Sequence, residues 1–206
     1  MKVLLFNGSP RAEGCTFTAL TEIANVLNAE GVQTEIIHLG KNPVQDCIAC
    51  GGCKNTGKCV FGDGVNEWIE KAKSADGFVF GTPVYYSHPT GRITSAMDRM
   101  FYAGKSAFIH KPAAVITSAR RAGSAASMDV LTKHLGIAEM PVITSSYWNM
   151  VFGNTPEEVK KDLEGIQTMK NLAANMAWIL KCIEAGKNAG ITKPENVTTI
   201  RTNFIR

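Results

Sequence analysis

The feature that most restricts the fold of this sequence is a regular alternation of short apolar runs with longer segments of helical period. Lys2 to Phe6 is apolar and closed by Asn7-Gly8-Ser9-Pro10, which reads as a buried parallel strand. Thr16 to Ala29 then sets Leu20, Ile23 and Leu27 at helical spacing, and Gly31 ends that helix. Gln33 to Leu39 reads as the second strand, Gly77 to Gly81 as the third, Ala113 to Thr117 as the fourth and Pro141 to Thr144 as the fifth. Between them lie helical patterns at Val65, Trp68, Ile69 and Ala72, at Ile93, Met97, Met100 and Phe101, and at Met128, Leu131 and Leu135. Thr155-Pro156-Glu157-Glu158 supplies an N-cap, a proline at the first helical position and a glutamate at the third, so one long helix is expected to follow, carrying Val159, Leu163, Ile166, Met176, Leu180 and Ile183.

Alternating strands and helices imply a parallel sheet covered on both faces. The expectation is an α/β, flavodoxin-like three-layer fold whose five-stranded parallel sheet has the order 2-1-3-4-5. Residues 1–186 read as a single domain, interrupted by a cysteine-rich loop over 46–62. Residues 187–206 are polar and turn-rich and read as a C-terminal arm with an apolar tip, Asn203-Phe204-Ile205-Arg206.

Bulk properties narrow the function. No apolar run approaches the ~18 residues of a membrane span, and the N-terminus does not read as a signal peptide, so a cytoplasmic location without membrane contact is expected. The formal charge of +4 suits anionic small molecules, but no Lys/Arg cluster is interleaved with aromatics, so nucleic acid is not an expected partner. No paired carboxylates and no Ser/His/Asp set stand out, which leaves hydrolysis without support. His38, His110 and His134 show no ligand spacing and read as surface or capping residues.

In an open parallel sheet, ligands bind beyond the carboxyl ends of the strands. Three loops leave such ends here. After strand one, Gly8, Ser9, Arg11, Gly14, Cys15 and Thr16 combine small residues, hydroxyls, a guanidinium and a helix start, the chemistry of a phosphate cradle. After strand three, Pro83, Val84, Tyr85 and Tyr86 can wall a flat ring. After strand four, Ser118, Ala119, Arg120, Arg121 and Gly123 permit close approach and bring positive charge. Cys47, Cys50, Cys53 and Cys59 lie within thirteen residues, and in a reducing compartment such a group reads first as a metal or redox site.

Gly8-Ser9-Pro10-Arg11, Thr82-Pro83-Val84-Tyr85-Tyr86 and Met97-Asp98-Arg99 together resemble the NADPH-dependent FMN reductase and iron–sulfur flavoprotein group, over roughly residues 1 to 150. The resemblance implies FMN, with its phosphate on Ser9, Arg11 and Thr16, its ring against 83–86, and 118–123 closing the site. The group often has Asn or Ser where Cys15 stands. It also implies a homodimer or homotetramer. The spacing Cys47-x-x-Cys50-x-x-Cys53, then five residues to Cys59, resembles the compact motif that holds a [4Fe–4S] cluster in iron–sulfur flavoproteins. Tetrahedral zinc, disulfides formed in air and an empty loop remain open alternatives for these cysteines.

The resulting expectation is an FMN-dependent oxidoreductase. NAD(P)H would be the donor, and the acceptor a small molecule such as a quinone or free flavin. The alternative is an electron-transfer protein served by a ferredoxin-like donor. A third reading is a redox-sensing module acting through the cysteines.

Overall fold

The computed structural model describes residues 1–202 and 204. The central strands are β1 (Lys2–Asn7), β3 (Gly77–Tyr85) and β5 (Ala113–Ala119). They are buried because apolar side chains leave both faces of each: Leu4 and Phe6 enter one core, Val3 and Leu5 the other. With β2 (Gln33–His38) and β6 (Met150–Phe152), they make a sheet of order β2-β1-β3-β5-β6, all parallel along that path. By position this is the predicted 2-1-3-4-5 order, with a two-residue strand β4 (His88–Pro89) added antiparallel to β3.

Helices fill the two outer layers. On one face lie α3 (Val65–Lys73), α4 (Gly91–Gly104) and α5 (Ser124–Ile137), packed on Phe6, Phe78 and Phe80. On the other lie α1 (Cys15–Ala29), the short α6 (Pro156–Lys161) and the 26-residue α7 (Leu163–Asn188), packed on Val79, Ala114 and Ile116. The loop between β2 and α3 contains one four-residue helix, α2 (Cys53–Thr56). Among the described residues no helix is long and apolar enough to cross a membrane.

Three expectations about element bounds need correction. The fifth strand is not Pro141 to Thr144: that segment makes a single parallel bridge, Val142 to Ala113, and the ladder resumes only at Met150. The expected single long helix is two helices. Asp162 leaves helical geometry at φ −76°, ψ 79°, and its carboxylate accepts from Gly165 N at 2.9 Å to cap α7 afresh. The arm expected at 187 starts slightly later, because α7 runs to Asn188. Beyond it, 189–202 has no helix or strand. Of the apolar tip Asn203-Phe204-Ile205-Arg206, only Phe204 falls within the described residues.

Candidate functional site: a cleft at the strand ends and a cysteine cavity

The loops that follow β1, β3 and β5 meet at one end of the sheet, and each is tied to the other two. Gly8 N donates to Gly81 O at 2.8 Å, and the Thr90 hydroxyl, beyond the β3–β4 hairpin, donates to Gly8 O at 2.9 Å. Thr16 Oγ1 and Ser118 Oγ share a buried hydrogen bond of 2.8 Å, joining the first and third loops. The third loop touches the second at Gly123, whose φ of +92° suits glycine and where a Cβ would come within 2.6 Å of Ser87 Cα. Position 8 is equally confined: a Cβ there would lie 2.7 Å from Ile93 Cβ.

This triangle of contacts frames a cleft of about 190 Å³. Ser9, Arg11, Cys15, Thr16, Pro83, Val84, Tyr85, Ser118, Ala119 and Arg120 line it, so ten residues selected from sequence come together. The other four sit around it. Gly14 is the N-cap of α1, Gly123 packs on the hairpin, and Arg121 and Tyr86 are exposed. Tyr86 and Ser87 form a two-residue turn in which both have positive φ, 51° and 59°, which points Tyr86 wholly into solvent.

The cleft suits an anionic, planar ligand. No side chain caps the first turn of α1, and that turn carries no acidic residue, so its N–H groups are free to meet a phosphate beside Arg11. The loop itself is braced from within: Arg11 N donates to Ser9 Oγ at 3.1 Å, and His38, expected to be a surface or capping residue, places Nε2 2.8 Å from Ser9 O. Burial pushes the Cys15 thiol above its ordinary pKa, and the thiol donates to Gly153 O at 3.6 Å; it is a neutral wall, not a nucleophile.

Gly153 and Asn154 complete the cleft and were not anticipated. The signal was available, because Gly153-Asn154 directly follows an apolar run, Met150 to Phe152. The expected strand at Pro141 to Thr144 lies nine residues ahead of the observed one, which leaves this loop outside the expected site.

A second cavity, of about 400 Å³, lies beside α4. Cys47, Cys50, Cys53 and Cys59 all line it, together with Val60, Phe61, Arg99 and Tyr102. The four cysteines are free. Among the described residues no three Cys, His, Asp or Glu side chains have the arrangement to hold a single metal ion, so the thiols share a cavity without converging on a point. Four soft donors around one space match the chemistry of an iron–sulfur group.

Arg99 governs how this loop sits. Its side chain is 1% exposed, and its fork spans both stems of the loop. Nη1 and Nη2 grip the Asp63 carboxylate at 2.5 and 2.7 Å, and Nη1 also donates to Gln45 O at 2.9 Å. Nε donates to Cys59 Sγ at 3.2 Å, and the guanidinium lies 4.8 Å from the centre of the Phe61 ring. The Arg99 hydrogen bonds hold the Asp63 carboxyl below the usual carboxylate range, and Asp63 in turn raises the pKa of Arg99.

Residues 1–155 match the model of the family described as NADPH-dependent FMN reductase. The chain is 31% identical over 192 residues to an iron–sulfur flavoprotein of Methanocaldococcus jannaschii, covering 89% of this chain and all of that protein. Among solved structures it resembles RosB with a bound riboflavin-5′-phosphate derivative, at a TM-score of 0.70 and 17% identity, covering 100% of this chain and 92% of RosB. It also resembles a flavodoxin from the domain Archaea, at a TM-score of 0.59 and 15% identity, covering 88% and 99% of the two chains. At these identities the structural likeness speaks for a flavodoxin-like fold. The family match and the full-length relative go further: this chain belongs to the NADPH-dependent FMN reductase family of flavin-dependent oxidoreductases.

Proposed function

We propose that the protein binds FMN in the cleft at the ends of β1, β3 and β5, takes electrons from NAD(P)H, and passes them to a small-molecule acceptor, with a [4Fe–4S] cluster on Cys47, Cys50, Cys53 and Cys59. The observation that carries this reading is the convergence of ten residues of the three loops on one cleft, lined also by the uncapped first turn of α1. When bound, FMN supplies hydride acceptance and one-electron release, and the cluster supplies single-electron storage.

The chain's own residues bind, orient and shield. Arg11 and the N–H groups of α1 take the phosphate, with Ser9 and Thr16 beside them. Pro83, Val84 and Tyr85 form a wall for the ring, and Tyr85, 48% exposed, leaves an open edge where donor and acceptor take turns. Arg120 brings positive charge to the site, which favours a reduced, anionic ring. No side chain needs to move a proton, which agrees with the neutral Cys15 thiol.

A second reading has its own observation. The cysteine cavity opens to solvent past Ile48, Val60 and Tyr102, which are 56%, 58% and 74% exposed. An apolar rim around a redox group suits brief docking of a ferredoxin-like donor. The protein would then serve as an electron carrier in a reducing compartment, as a homodimer or homotetramer.

Anaerobic purification with iron, sulfide and flavin analysis tests the cofactors. A colourless protein that cannot be reconstituted with FMN overturns the proposal. Steady-state oxidation of NAD(P)H favours the enzyme; rapid reduction by a ferredoxin without it favours the carrier.

A further inference from the structure

The four cysteines are not equivalent. Cys59 is fixed in two ways before any ligand arrives. Its backbone is clamped by Asn66, which accepts from Cys59 N and donates to Cys59 O, both at 2.8 Å. Its sulfur accepts the Nε–H of Arg99 at 3.2 Å. Among the described residues, none of Cys47, Cys50 and Cys53 has a side-chain hydrogen bond, and Cys47 and Cys50 are exposed. Arg99 itself cannot drift, because Asp63 and Gln45 O hold the far side of its fork and its side chain is sealed from water.

We propose that Arg99 is a positioning residue for the cluster: it holds Cys59 as the pre-placed ligand and, through the Nε–H···S bond, makes the bound cluster easier to reduce. The proposal rests on the cluster reading above. Its physical basis is that a cationic donor aimed at a ligand sulfur stabilises the extra negative charge of the reduced state. Second-shell partners of this kind set both ligand orientation and potential. Only a planar fork can reach a carboxylate, a carbonyl and a thiolate at once; a lysine keeps the charge and loses that geometry.

The test uses the anaerobically reconstituted full chain, wild type against Arg99→Lys and Asp63→Glu. FMN and iron content are measured first, then the cluster's midpoint potential by EPR-monitored titration. The expected result is that Arg99→Lys retains FMN, loads iron and shows a reduction equilibrium constant about tenfold lower, which for one electron is a shift of about −59 mV. Asp63→Glu keeps both charges but displaces the fork, and is expected to move the potential the same way by less. Loss of iron from both variants with FMN affinity unchanged supports the positioning role. A wild-type potential and EPR spectrum in whichever variant loads overturns it. A wild-type protein that takes up FMN but no iron overturns the cluster reading and this proposal together, and is distinguished by the iron analysis alone.

Discussion

The cleft and the cysteine cavity solve the same problem in opposite ways. The cleft is assembled from the ends of β1, β3 and β5, and its walls are held largely by backbone positions that the sheet fixes. The cavity is assembled from a loop whose one regular element is a four-residue helix, and side chains hold it: Arg99, Asp63 and Asn66. A site made of strand ends inherits the stability of the core. A site made of a loop is as stable as the few contacts that pin it.

Four experiments test that contrast, in order of expected effect. Asp63→Ala leaves the buried Arg99 charge without its carboxylate, and removal of one partner of such a pair costs about 3–5 kcal/mol. The low end applies because Asp63 is partly exposed, so thermal unfolding should fall by about 6–12 °C while FMN affinity holds; an equal loss of FMN binding would mean the two sites are one unit. Arg11→Ala removes the proposed charged donor to the FMN phosphate and should weaken FMN binding by about 10- to 100-fold, from the 1.5–3 kcal/mol of such a bond, read by flavin fluorescence titration. Iron content should stay at the wild-type level. Gly8→Ala pushes a methyl into Ile93 and should cost about 1–2 kcal/mol as local overpacking, seen as a lower denaturation midpoint with weaker FMN binding. The smallest effect is on acid stability. The Asp63 carboxyl is held below its ordinary range by the Arg99 hydrogen bonds. Its contribution is therefore complete above the unfolded-state value of about 4 and is lost as pH falls through the folded value. Asp63→Asn should flatten the stability–pH curve below about pH 4 and leave it parallel to wild type above.

The same contrast explains what the sequence made legible. Strand ends announce themselves, because an apolar run stopped by Gly-Ser-Pro or Thr-Pro is a local pattern; the three loops could be found from Gly8, Pro83 and Ser118 without knowing any contact. The fifth strand was misplaced because Pro141 to Thr144 and Met150 to Phe152 are both short apolar runs, and only the ladder to β5 separates them. Gly153 and Asn154 follow the observed strand and so fall outside the expected site. The break at Asp162 was hidden because Val159 and Leu163 keep helical spacing across it. Arg99 was visible only as part of Met97-Asp98-Arg99; nothing local marks an arginine as buried, since its burial depends on Asp63, thirty-six positions away.

The interrupted fifth strand has a further consequence. A sheet with free margins invites other chains to add to it. Here one margin offers three residues at Met150–Phe152 and a lone bridge at Val142. The opposite margin, Gln33–His38, carries Glu35 locked between Lys2 and Lys71 at 2.6 and 2.7 Å. One margin is short and interrupted and the other carries a paired charge, so neither offers a long apolar edge for further strands to pair with.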